Sequence, residues 1–352
     1  MINDKNLKQE GGDNSTNLQG QNVTIYNGIS YTDARNIALD VFKTNFLELS
    51  QNAADIAKQR AEHLVDEFLK KLEIEKPDKI DKIEDPDMQY ALFSAQKEFA
   101  RSGEKDMEEM LVSILLERIE ENSQSLKKIV LNEALEIVSK LTDQQLDILT
   151  LVFLIQDTRN NNINNRESLL NYLKSHFLPF IKNLTKEKSC YKHLEYSRCC
   201  GTIGIAQDNL SQYFINNYAG VFSKGFEKEK FEEISKDNPS INSLLIPCLT
   251  DNTKFQLNAL TEDIMRSKTI DKLGVTEAIF NRLKSLFKSS TMNVEEANKF
   301  LEDLLPEMKN FIETWKESYM CAMNPTSVGT ALAYINLRRK AGIKLDLGIW
   351  IK

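Results

Sequence analysis

Across 352 residues this chain carries only 13 glycines and 7 prolines, so little in it stops a helix once one has started. The consequence is plainest between Ala34 and Leu72. Apolar residues recur there at three- and four-residue steps: Ala34, Ile37, Ala38, Val41, Phe42, Phe46, Leu49, Ala53, Ile56, Ala57, Leu64, Val65, Phe68, Leu69 and Leu72. That spacing is one face of an α-helix, and no glycine or proline interrupts it. Unbroken, it predicts a long helix over residues 29–75, a rod on the order of 60 Å. The alanines in its middle, Ala53, Ala54, Ala57 and Ala61, allow a second helix to approach closely. Two readings stay open: a helix packed on its own body, or a coiled-coil stalk shared between subunits.

Residues 76–86 are charged and bounded by Pro77 and Pro86, which reads as a linker. A helical body follows over 87–352. Its patterns fall at 87–101, 104–121, 123–140, 143–156, 166–184 and 187–198, with no strand alternation before residue 200. Thr142 and Asp143 are good caps for a buried helix over Leu146–Ile155, a run too short to cross a bilayer. Further helices are expected at 209–218, 227–236, 252–266, 274–289, 293–320 with a kink at Pro306, and 328–340 closed by Gly342. Two short runs look like strands. One is Val23–Tyr26; the other is the tail, apolar at Leu345, Leu347, Ile349 and Ile351. The predicted fold is therefore mainly α: a leader over 1–28, the long helix, and a multi-helix body, with a small β element where the N- and C-terminal strands meet.

Composition narrows the function classes. A net charge of −7 disfavours a general nucleic-acid binder, which needs surplus Lys and Arg at its surface. No run approaches the length of a membrane span, and Met1–Asn6 lacks the apolar core of a signal peptide. A cytoplasmic location and no membrane association are expected. The odd number of cysteines, five, fits free thiols better than a disulfide framework.

Catalytic patterns are sparse. Cys190, His193 and Cys199, with Cys200, have soft-ligand chemistry that suits zinc, but adjacent cysteines reach one ion poorly and no CxxC is present. Buried thiols beside a surface histidine are the plainer reading. The other histidines, His63 and His176, read as a solvated and a core or capping residue, and GxSxG is absent. Gly201–Gly204 and Thr326–Gly329 lack the spacing of a phosphate loop, and the second reads as a helix cap. Arg338, Arg339 and Lys340 suit either a winged-helix reader or a basic C-terminal turn complementing the helix dipole. Glu117, Glu120, Glu121, Glu133 and Glu136 look like a solvated face. No cofactor is expected.

What remains is the leader. Residues 11–28 are rich in Asn, Gln, Gly and Ser and end in Val23–Tyr26. Such a tract cannot bury enough apolar surface to fold alone, but its amides can form ladders when copies stack. Asn17, Leu18, Gln19, Asn22, Val23 and Ile25 are the expected self-association residues, joining a homo-oligomer or docking a partner protein. Together the Gly12–Ile25 tract, Ala38–Phe46, Phe222–Phe226 and the Thr326-Ser-Val-Gly329 to Asp346-Leu-Gly-Ile-Trp-Ile351 ending resemble an uncharacterised bacterial family. The resemblance implies a bacterial cytoplasmic protein associated with phage defence or a mobile element. Asn17–Asn22 is also loosely similar to RIP homotypic interaction motifs, although it lacks their apolar residue between Gln and Gly. The leading expectation is a non-enzymatic oligomeric assembly or sensor protein. The alternative is a defence effector enzyme with a dispersed site near 190–226, among Cys190, His193, Arg198, Cys199, Tyr218 and Lys224.

Overall fold

The computed structural model describes residues 30–45, 51–121, 125–201 and 209–352. The leader, with Val23–Tyr26, lies outside them. Among the described residues the protein is mainly α and falls into two units, Met1–Lys97 and Glu98–Lys352.

In the first unit the expected rod is a pair of helices, α1 (Tyr31–Asn45) and α2 (Gln51–Glu75). Arg35 Nε donates to Asp66 Oδ1 at 2.6 Å, two residues that a single helix would hold about 46 Å apart. The chain has therefore reversed, and the two helices face each other. Apolar spacing could not reveal this, because two antiparallel helices sharing a seam carry the same period as one long helix. Ala57 and Ala61 lie in that buried face with Leu64, Val65, Phe68, Leu69 and Leu72. The packing is within the chain's own body. The expected linker is also structured: Pro77–Glu84 is a 3₁₀ helix packed on α1 and α2, with Ile83 buried. Helix α3 (Pro86–Ser102) starts on a proline, which costs nothing where no N–H partner exists, and the division between units falls inside it.

The second unit is built on two helices that are buried nearly all round. α4 (Lys105–Arg118) and α5 (Leu126–Ile137) lead into α6 (Asp143–Gln156). Thr142 and Gln145 close a capping box at the start of α6, and Leu146–Ile155 is buried on every side, as a central helix must be. α7 (Arg166–Tyr172), α8 (Lys188–Tyr196), α9 (Leu210–Tyr218) and α10 (Lys228–Ser235) follow. A hairpin of β1 (Leu245–Pro247) and β2 (Phe255–Leu257) pairs Leu245 with Leu257. Then come α11 (Glu262–Arg266), α12 (Glu277–Ser290), α13 (Val294–Leu304), α14 (Met308–Glu317) and α15 (Ser327–Ala341). α15 packs along α6, with α4 and α5 against its flanks. Phe231, Ile241, Leu257, Phe280 and Leu283 form a further apolar core beneath the hairpin.

Three expectations need correcting here. The helix expected at 252–266 is β2 followed by the short α11. The helix at 293–320 does not bend at Pro306 but ends before it, as α13 and α14. The tail is not a strand. Leu347–Ile349 is a 3₁₀ turn, and the buried residues are Leu347 and Ile351, four apart, while Ile349 is exposed. Alternating letters there conceal a helical spacing. Tyr334 Oη donates to the Leu345 carbonyl at 2.8 Å and Trp350 Nε1 to the Asp157 carbonyl at 3.0 Å, which pins the tail to the unit. Among the described residues the small β element is the β1–β2 hairpin.

Candidate functional site

The site grows from the junction between the end of α8 and the start of α15. α8 closes with Arg198 N–H bonded to the Glu195 carbonyl at 2.9 Å and Cys199 N–H to the Leu194 carbonyl at 3.0 Å. That pair of bonds is a Schellman motif, which needs a left-handed residue, usually glycine. Here the residue is Arg198, at φ 59°, where a Cβ costs on the order of 1 kcal/mol. Thr326 caps α15 through its Oγ1, which accepts from Gly329 N–H and donates to the Arg198 carbonyl at 2.6 Å. Thr326 N–H reaches the Cys199 carbonyl at 3.0 Å, and Gly201 N–H reaches the Asn324 carbonyl at 2.7 Å. Gly329 is required by space: a Cβ there would lie 1.8 Å from the Cys199 carbonyl oxygen. The Thr-Ser-Val-Gly motif is thus a cap and a close approach.

Beside this junction α5 lines an open groove of about 700 Å³. Its lining includes Val130, Ile137 and Val328. Three large apolar side chains along it remain accessible: Leu126 at 50%, Ile129 at 48% and Tyr196 at 84%. Glu133, Glu136, Lys140 and Arg198 complete the lining. Among the described residues none of these four charges takes part in an ion pair or a side-chain hydrogen bond. Unpaired charges beside exposed apolar side chains suit binding.

The other candidate groups are buried or engaged. Cys199 is fully buried, its Sγ 3.6 Å from the Ser197 carbonyl, and burial, with Cys200 adding repulsion, pushes its thiol up to about 12. Burial and Glu195 push Cys200 up to about 11, and burial raises Cys190. His193 Nδ1 lies 3.0 Å from Gln145 Nε2, and its ring stacks on Tyr196. Among the described residues no three His, Cys, Asp or Glu side chains group to hold a metal ion, so Cys190, His193 and Cys199 do not assemble one. His63 is exposed on α2. His176 contacts Ser175 Oγ at 2.7 Å, but that hydroxyl also donates to the Asn171 carbonyl, and burial lowers the imidazole pKa.

Tyr218 is buried, accepting from Asn160 N–H, and Lys224 pairs with Glu296. The basic run on α15 is not a free patch either. Arg338 Nη1 meets Glu117 at 2.6 Å, Arg339 Nη1 meets Asp106 at 2.9 Å, and Lys340 Nζ holds both oxygens of Asp147 at 2.7 and 2.8 Å. The six expected self-association residues, Asn17, Leu18, Gln19, Asn22, Val23 and Ile25, lie outside the described residues.

Of the six residues singled out in sequence within 190–226, only Arg198 lines the groove, joined there by Tyr196 and Ser197 from the same stretch. Leu126, Ile129 and Tyr196 gave one weak signal, apolar residues at helix positions with no guarantee of a neighbour. A protein-family model whose description reads only ":-like" matches residues 28–351, and the chain belongs to that family. No curated protein and no solved structure matches it.

Proposed function

We propose that this chain is a non-enzymatic assembly protein, joined into an oligomer through its N-terminal tract, whose helical body binds a partner protein in the groove lined by α5, α8 and α15. The observation that carries the binding role is Arg198. It occupies a left-handed position that glycine would fill without strain, and it is exposed and lines the groove beside charges that are unpaired among the described residues. A strained residue kept at a pocket is the mark of a side chain used for something other than folding. The buried, high-pKa thiols and the paired interior acids support a binding role over catalysis. The tract supports assembly through its composition alone.

The test is the solution mass, by light scattering, of the full chain beside one starting at Ser30. A discrete oligomer that falls apart on truncation is expected. Equal masses would overturn the assembly role of the tract. The cellular setting, bacterial phage defence, rests on the resemblance of the chain's segments and is read out by plaque counts on cells with and without the protein. The second reading, an effector enzyme centred on 190–226, draws on the same strained Arg198. Stoichiometric zinc in the purified protein would favour it.

A further inference from the structure

The groove has an order along it. The residues lining it from α5 are apolar at Leu126 and Ile129 and acidic at Glu133 and Glu136, and the 3₁₀ helix that continues it, Val138–Lys140, adds the basic Lys140. Their steps of three and four place them on one face of the helix and its continuation, over about 21 Å or four turns. The far wall adds Tyr196 and the cation of Arg198.

Resting on the binding role proposed above, we infer that the occupant is an amphipathic α-helix of a partner protein. Its face is apolar against Leu126 and Ile129, basic against Glu133 and Glu136, and acidic towards Lys140. Charge complementarity selects it. Two unpaired carboxylates in the middle of the groove repel a phosphate backbone and attract Lys or Arg. The wall is a helix whose backbone is already hydrogen-bonded, so it offers no strand edge for an extended peptide to extend. The length fits four turns of a second helix laid alongside, anchored at one end by apolar side chains.

The experiment titrates labelled 15-residue peptides into the full-length protein. The first carries leucine at positions 1 and 4, lysine at 8 and 11 and glutamate at 15, on an alanine and glutamine background, repeating the spacing of the α5 face. The second has every charge inverted, and both are also made in reversed sequence for the antiparallel direction. A lysine-centred peptide binds in one of the two directions, and its charge-inverted form binds more weakly by on the order of tenfold, as three exposed ion pairs turned to repulsion allow. The double variant E133K/E136K, whose substitutions lie on exposed positions, exchanges that preference. Tyr196→Ala weakens both peptides and leaves the preference unchanged.

Absence of binding, or a charge preference that E133K/E136K leaves intact, overturns the proposal. So does equal binding of a peptide with two prolines placed mid-sequence, which would make the occupant extended. Loss of the assembled mass in E133K/E136K would make the occupant a second copy, and also overturns it. Scattering mass in the same samples keeps the two proposals apart. An oligomer that ignores truncation sinks the assembly role alone, while a lost peptide preference in an intact oligomer sinks this one alone.

Discussion

Arg198 concentrates the residue-scale question, because one side chain bears on folding and binding in opposite directions. Its backbone sits at φ 59° in a Schellman turn, and its side chain lines the groove with no ion-pair partner among the described residues. Replacing it with glycine removes the left-handed penalty and adds chain entropy to the unfolded state, so the net gain is about 1 kcal/mol or somewhat less. Arg198→Gly is therefore expected to raise the urea midpoint, with an unchanged m-value, while weakening any ligand that places an acid near residue 198. A variant that lost stability would show that the guanidinium holds the turn together, and the binding argument would lose its support. Gly329 shows the contrary case. There the sequence already has the only residue that fits, since any Cβ would overlap the Cys199 carbonyl.

At the scale of elements, the α6–α15 pair is where helical propensity and buried charge meet. Asn336, fully buried, donates from Nδ2 to Asp147 Oδ1 and to Thr150 Oγ1, both at 3.0 Å, and Lys340 closes the cluster. Desolvation is the largest influence on Asp147 and raises it to about 6, against the lowering by Lys340 and Asn336 and a further rise from Asp143. A carboxyl raised on folding binds its proton more tightly in the native state. Its stabilising contribution is complete below the unfolded value of 3.8 and is lost as pH climbs through about 6. Denaturation of wild type and Asp147→Asn across about pH 4 to 7.5 checks this: the difference between them should shift in favour of wild type as pH falls through the window. A difference independent of pH would mean that Lys340 holds the carboxylate ionised throughout.

These same elements show what was legible in the letters. The caps at Thr142 and Thr326 and the stop at Gly342, φ 67°, were readable because each acts within four residues. The reversal between α1 and α2 was not, since no glycine or proline marks it and the apolar period runs through. The β1–β2 pair was missed because three-residue strands are shorter than any period can register. The groove was legible only at Arg198, because its lining comes from three segments that approach only in the folded chain.

For the whole molecule, the two proposed contacts differ in the force that holds them, and salt separates them. Asn17–Tyr26 contains no charged residue, so amide ladders and apolar strand packing would join copies there. The groove, in contrast, presents four exposed charges that are unpaired among the described residues. Exposed charges are screened over about 10 Å at 0.1 M salt and about 3 Å at 1 M, whereas apolar and amide contacts are not. Raising salt from about 0.05 to about 0.5 M is thus expected to leave the scattering mass of the full chain unchanged while lowering the affinity of the lysine-centred peptide. An oligomer that dissolved as salt rose would be held by charged surfaces, which Asn17–Tyr26 does not possess, and would move assembly away from that segment. Peptide affinity indifferent to salt would leave Leu126, Ile129 and Tyr196 as the whole of the recognition, and the order of charges along α5 without a role. Because each contact answers to a different physical term, neither result can stand in for the other.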